Sequence, residues 1–252
     1  MSNKAKQLEL FVVGADPCWH DPKQKYQTEN SNWTLNDNGI KIFVDHMLID
    51  GLHCPDEIKY AWIYEPAAIV PEFIGHIQCN VELYGTAYKK LFTHNKEVAK
   101  LHDNFILVEP GFPSWIEKPE IHKKSKLVSM ITSTKNFCEG HEQRIMWANK
   151  LHGKLDLFGR GHNPIENKEE GLCNYMFSVS LENDNTVYTE KLLDCFLTGT
   201  VPIYWGSEQV KEIFNQDGII WINDDFDIDI LTEELYNSKL DAVKENFEIA
   251  KK

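Results

Sequence analysis

The chain has 252 residues, 42% of them hydrophobic, enough to bury one large core or two smaller ones. Its formal net charge of −13 argues against nucleic acid or an anionic membrane surface as partners, and no run of some 18 apolar residues is present to span a bilayer. Six cysteines lie scattered without a Cys-x-x-Cys pair and ten histidines without a His-x-x-x-His pair, so reduced thiols are expected, with neither zinc nor a disulfide framework.

The first residues, Met1 to Lys6, lack the apolar stretch of a signal peptide. An apolar run over 8–13, closed by Gly14, predicts a first strand. Residues 16–38, rich in Asp, Pro, Gln, Asn and Lys, read as an open loop. Trp19 and Trp33 within it are either packing anchors or aromatic faces for a sugar ring. A further strand is expected over 40–49. Tyr60 to Tyr64 forms a compact strand that ends at Glu65, because Pro66 keeps the residue before it extended. Thr93 or Asn95 caps a short helix, 105–108 is a strand and 110–113 a turn. The polar, charged stretch 116–125 reads as a linker.

A second series follows. Strands are predicted over 128–131, 155–158 and 175–181, with a helix from about 141 to 151 and a Gly159-Arg160-Gly161 turn. Thr189 caps a helix with Glu190 in its first turn and Gly199 at its end, and Val201 to Trp205 is a buried strand closed by Gly206. Another strand is expected over 219–222, then terminal helices over 231–252. The acidic run Asp224, Asp225, Asp227 and Asp229 reads as solvated surface, including its two Asp-x-Asp matches. Strands alternating with helices throughout predict an α/β fold with mostly parallel sheets.

A helix N-terminus carrying Lys191 on its first turn suits an anion such as a diphosphate. The basic residues also concentrate locally. Between Lys118 and Arg160 stand nine of them, against the four acids Glu120, Glu139, Glu142 and Asp156. Arg144 and Arg160 are the two arginines of the chain. A guanidinium fork matches phosphate oxygens where an ammonium offers a point charge, which makes Arg144, near the start of a helix, a candidate phosphate ligand. Arg160 is either a donor contact or part of a turn.

The string Glu182-Asn183, a short insert, Thr189-Glu190-Lys191-x-x-Asp194 and Gly199-Thr200-x-Pro202-Ile203-Tyr204-Trp205-Gly206 resembles the signature of the family 10 glycosyltransferases, the α1,3/4-fucosyltransferases. The likeness is dense over 177–206. It implies a GT-B-like fold of two Rossmann-like halves facing a cleft, with residues 1–118 holding the acceptor and 119–252 the nucleotide-sugar donor. It further implies an inverting transfer of fucose from GDP-fucose to a hydroxyl of a glycan acceptor, with no cofactor or metal required, in a soluble cytoplasmic enzyme of microbial or viral type. By the resemblance, Lys191 and Arg144 would bind the diphosphate, Glu190 would bond ribose or sugar hydroxyls, and Glu182 and Asn183 would shape the pocket. The family often places a tyrosine three residues before the Glu-Lys pair; this chain has Val187 there and Tyr188 one position later, the candidate for that aromatic contact. Glu65, at a strand end in the first half, resembles the family's catalytic base, with Glu72 and Glu82 as nearby competitors. Two rival readings remain open: the same enzyme class with another nucleotide-sugar donor, and a nucleotide-sugar-binding module without transfer activity.

Overall fold

In a computed structural model of the chain, residues 40–109 and 114–251 are described in full, and the strands over 8–13 and 31–34 by their backbone. The expected loop around Trp19, the side chain of Trp33 and the expected turn at 110–113 lie outside the described residues. The chain divides into two compact units, Met1–Glu109 and Pro110–Lys252.

The first unit is built on strands β1 (Leu8–Val13), β2 (Ser31–Thr34), β3 (Ile40–Val44), β4 (Lys59–Ile63), β5 (Lys90–Thr93) and β6 (Phe105–Leu107). They pair in parallel in the order β2-β1-β3-β4-β5-β6. Ala61 and Ile63 of β4 and Leu91 of β5 pack with Ile74, Ile77 and Tyr84 from the helices that follow. The strand expected over 40–49 stops at Val44 because Asp45 turns the chain with a left-handed φ of 46°, and a helix, Met47–Leu52, begins two residues later. The short helix Lys96–Ala99 is capped by Asn95, whose side chain accepts from the N–H groups of Glu97 and Val98.

The second unit carries β7 (Lys126–Ile131), β8 (Asp156–Phe158), β9 (Tyr175–Leu181), β10 (Val201–Trp205) and β11 (Ile220–Trp221). Again all pairings are parallel, in the order β11-β10-β9-β7-β8. β9 lies at the centre and is buried at every position, as its continuous apolar and small-polar run requires of a strand covered on both faces. The helix Glu190–Leu197 buries Leu192, Cys195, Phe196 and Leu197 and ends at Gly199, whose φ of 72° stops it. The polar stretch 116–125 runs along this unit. Glu120 and His122 N–H groups donate to the carbonyls of Leu197 and Thr198, and the Lys124 ammonium donates to the carbonyls of Leu172, Cys173 and Thr198 and to Thr200 Oγ1. Among the described residues no helix is long and apolar enough to cross a membrane.

Candidate functional site

β7 is followed in sequence by β8 on one side of it and by β9 on the other, so the connections diverge between the carboxyl ends of β7 and β9. In open parallel sheets that divergence is where ligands bind. Beyond β7 the chain enters the helix Glu139–Lys150, and beyond β9 it reaches Glu182 and Asn183. The two connections are bonded together. The Gly140 N–H donates to the Asn183 carbonyl at 3.0 Å. A Cβ at Gly140 would come within 1.9 Å of the Glu182 carbonyl oxygen, so the first helical turn reaches this position only with glycine. One turn on, Arg144 Nε donates to the Leu181 carbonyl at 2.9 Å and its Nη2 to Asn183 Oδ1. Arg144 is 7% exposed. Burial pulls its pKa down against the upward pull of Glu182 and Glu190, and a group that begins so basic stays charged. Two of the five N–H donors of the fork are used in fixing it.

Glu182 is fully buried at the end of β9. One of its carboxylate oxygens accepts from the Thr189 N–H at 2.8 Å and the other from the Thr189 hydroxyl at 2.6 Å. Thr189 is also the N-cap of Glu190–Leu197, so the strand end and the helix start are tied at one residue. The Lys191 ammonium donates to Thr189 Oγ1 at 2.9 Å and lies 3.3 Å from Glu190 Oε1 and 3.5 Å from Glu182 Oε2. Its side chain keeps 25% of its surface exposed, whereas Glu182 has none. Burial raises the Glu182 pKa against the opposing pull of Lys191. Burial pushes Glu190 the same way, but Lys191 and Lys168 overcome it and hold that carboxylate at about 2. The result is a fixed guanidinium, a partly exposed ammonium and an ionised carboxylate at one end of one sheet, a set that suits a diphosphate bearing hydroxyl groups.

Arg144, Glu182, Asn183, Glu190 and Lys191 come together through the bonds above. Tyr188 belongs to an apolar cluster with Leu192 and Phe196, its ring edge-on to Phe214 at 5.6 Å, and Val187 beside it is fully buried. Arg160 is exposed in a turn between Gly159 and Gly161, both at positive φ. Asp225, Asp227 and Asp229 are exposed, Asp229 pairing with Lys154 at 2.9 Å. Glu65 stands in the first unit, just past β4 and partly buried, while Glu72 and Glu82 are exposed in the first turns of the helices Pro71–Cys79 and Val81–Ala87. The N–H groups of Tyr64 and Glu65 both donate to Asp45 Oδ1, at 2.8 and 3.1 Å, so Asp45 fixes the backbone that presents Glu65. Burial raises the Asp45 pKa against those two bonds.

Three contributors, Asp45, His141 and Lys168, carry no mark in the sequence for these roles. Asp45 was hidden inside an expected strand. His141 is buried edge-on to the Phe137 ring at 4.3 Å, and burial, then Arg144, Lys135 and Lys191, push it down to about 4, so it is neutral near pH 7. Lys168 reaches Asp194 at 2.7 Å and Glu190 at 3.5 Å. A signal for that pair existed: Glu190 and Asp194 are like charges four residues apart on one helix, an arrangement that calls for a nearby cation. Among the described residues no three His, Cys, Asp or Glu side chains group as a metal site.

Comparison with known proteins identifies the family and the fold. Residues 121–248, half of the chain, match the family description "Glycosyltransferase family 10 (fucosyltransferase) C-term". Over 66 residues the chain is 38% identical to the α-(1,3)-fucosyltransferase FucT of Helicobacter pylori; the match covers 25% of this chain and 14% of that protein's length. Among solved structures, an α1,3-fucosyltransferase crystallised with GDP superimposes with a TM-score of 0.58 at 16% identity, covering 98% of this chain and 84% of that one. S. aureus TarM, crystallised with UDP, gives 0.51 at 8% identity over 83% of this chain and 51% of that one. At such identities the structural likeness concerns the fold, which is of the α/β GT-B class. The residues joined between the ends of β7 and β9 all fall inside the stretch that the family description matches, and the chain belongs to glycosyltransferase family 10.

Proposed function

We propose that the chain is an inverting fucosyltransferase that moves fucose from GDP-fucose to a hydroxyl of a glycan acceptor. The observation that carries this reading is the meeting of Arg144, Asn183, Glu190 and Lys191 where the connections from β7 and β9 diverge, within the family-matched stretch. Arg144 and Lys191 hold the diphosphate and take up the charge that grows on it as the sugar departs. Glu190, held ionised, accepts from donor hydroxyls. The acceptor oxygen forms its bond to the anomeric carbon as the bond to the phosphate oxygen breaks. The hydroxyl proton passes to the carboxylate of Glu65, whose backbone Asp45 holds in place.

The test is a panel of GDP-, UDP- and CMP-sugars offered with a mixture of glycan acceptors, with products followed by mass spectrometry and NMR. GDP-fucose should be consumed fastest, and the new glycoside should carry the anomeric configuration opposite to the donor's. Preferential use of a UDP- or CMP-sugar would remove the guanine assignment, and retention of configuration would remove the single-displacement mechanism.

A further inference from the structure

The helix Glu190–Leu197 carries Glu190 and Asp194 one turn apart, and Lys168 answers both from the segment ahead of the helix Glu169–Leu172. Asp194 is a firm anchor: its side chain is 1% exposed, and its other oxygen accepts from the Ser114 hydroxyl at 2.6 Å and the Trp115 N–H at 2.9 Å. The Lys168 ammonium also stands 5.2 Å from the centroid of the Trp115 ring. Such a shielded, multiply held cation acts on its neighbours more strongly than a surface lysine does.

Lys191, by contrast, is shared among Thr189, Glu190 and Glu182. A phosphate oxygen that takes Lys191 must draw it away from those carboxylates, and Glu190 then loses one of its two close cations. We propose that Lys168 is a positioning residue of the donor site, keeping the Glu190 carboxylate charged and in place while Lys191 engages the diphosphate. The inference rests on the nucleotide-sugar reading above. The charged groups that act on Glu190 come from four elements: Lys191 on its own helix, Lys168, Glu182 at the end of β9, and Arg144 on the helix Glu139–Lys150. Burial and Glu182 favour a neutral Glu190; Lys191 and Lys168 lead the opposition. Without Lys168, a donor that occupies Lys191 leaves Glu190 with burial and Glu182 to contend with, so donor binding draws a proton onto it.

Calorimetric titration with GDP of wild type, Lys168→Met and Lys168→Arg, from about pH 8 to about pH 5, tests this around the ordinary glutamate range. Taking the ratio of variant to wild-type affinity at each pH cancels the titration of GDP itself. Lys168→Met should bind about tenfold more weakly at the alkaline end, the size of one lost charged interaction. The deficit should shrink as pH falls and the proton becomes available, and Lys168→Arg should restore both affinity and profile. If Lys168→Met does not fold, Lys168→Gln makes the same comparison while keeping a hydrogen-bond donor toward Asp194. A deficit that is absent, or constant with pH as for a purely structural residue, overturns the positioning role while leaving the donor site standing. Wild type that fails to bind GDP overturns the nucleotide-sugar reading itself, and this inference with it.

Discussion

If Arg144 and Lys191 hold the diphosphate as proposed, one as a planar fork and the other as a point charge, substitution of either should weaken donor binding. Lys191→Ala removes the partly exposed ammonium and should weaken GDP binding by about ten- to hundredfold, equivalent to roughly 1.5–3 kcal/mol. Arg144→Lys keeps the charge but loses the fork that bonds Leu181 and Asn183, so it should lose nearly as much. Glu65→Gln should leave GDP binding close to wild type and lower kcat by about 10²–10⁴-fold, with Glu72→Gln and Glu82→Gln as active controls. His141 gives a stability signature. Its folded pKa is held at about 4, and an unfolded histidine titrates near 6.5. The unfolded chain therefore binds the extra proton between those values, and stability falls as pH drops from about 6.5 toward 4. Glu190, held at about 2, adds its own loss only as pH falls further, from about 4.3 downward. Melting curves should show the first decline, and His141→Gln should flatten it. At this scale the sequence was readable where chemistry and local pattern coincide: Arg144 stands near a helix start, and Lys191 follows a capping threonine. Lys168 and Asp45 were not, because the partners that give them meaning lie 22 and 19–20 residues away.

Elements hold these residues through a few close approaches. Gly140→Ala would force the Glu139–Lys150 helix away from the end of β9, since the added carbon meets the Glu182 carbonyl at 1.9 Å. GDP affinity should drop in that variant while far-UV circular dichroism keeps most of its intensity. The half-buried Lys124 side chain ties the 116–125 stretch to the carbonyls of Leu172, Cys173 and Thr198. Lys124→Met removes the donor those carbonyls share, although Thr198 keeps the His122 N–H and Leu172 keeps the Thr200 hydroxyl, and should cost about 1–3 kcal/mol in denaturant unfolding. Nothing in the composition of 116–125 distinguishes such a tied strap from a free linker, which is how it reads from sequence. The second unit's strands were legible because β9 and β10 are short apolar runs bounded by polar turns and glycines. In the first unit the helices Pro71–Cys79 and Val81–Ala87 were not marked, although Phe73, Ile74 and Ile77 share a buried face behind a proline at the helix start. Two such short helices, joined at Asn80, give too few turns for a helical period to stand out.

Across the whole molecule, two units each build a parallel sheet, and each places a candidate residue set just past a strand's carboxyl end: Glu65 after β4, and Glu182 with Asn183 after β9. The alternation of strands and helices foretold the α/β class, and the Thr-Glu-Lys and Pro-Ile-Tyr-Trp-Gly strings pointed to the family. Strand order was not legible, because parallel crossovers leave no turn signature between neighbours. It is strand order, however, that brings Arg144 from beyond β7 to Asn183 beyond β9, 39 residues apart in sequence. This divergence point is the proposed diphosphate site. Its most direct test is diffraction from crystals grown with GDP. The diphosphate should lie within hydrogen-bond reach of both the Arg144 guanidinium and the Lys191 ammonium, with Lys168 still on Asp194 and Glu190. A diphosphate bound away from both Arg144 and Lys191 would contradict the account.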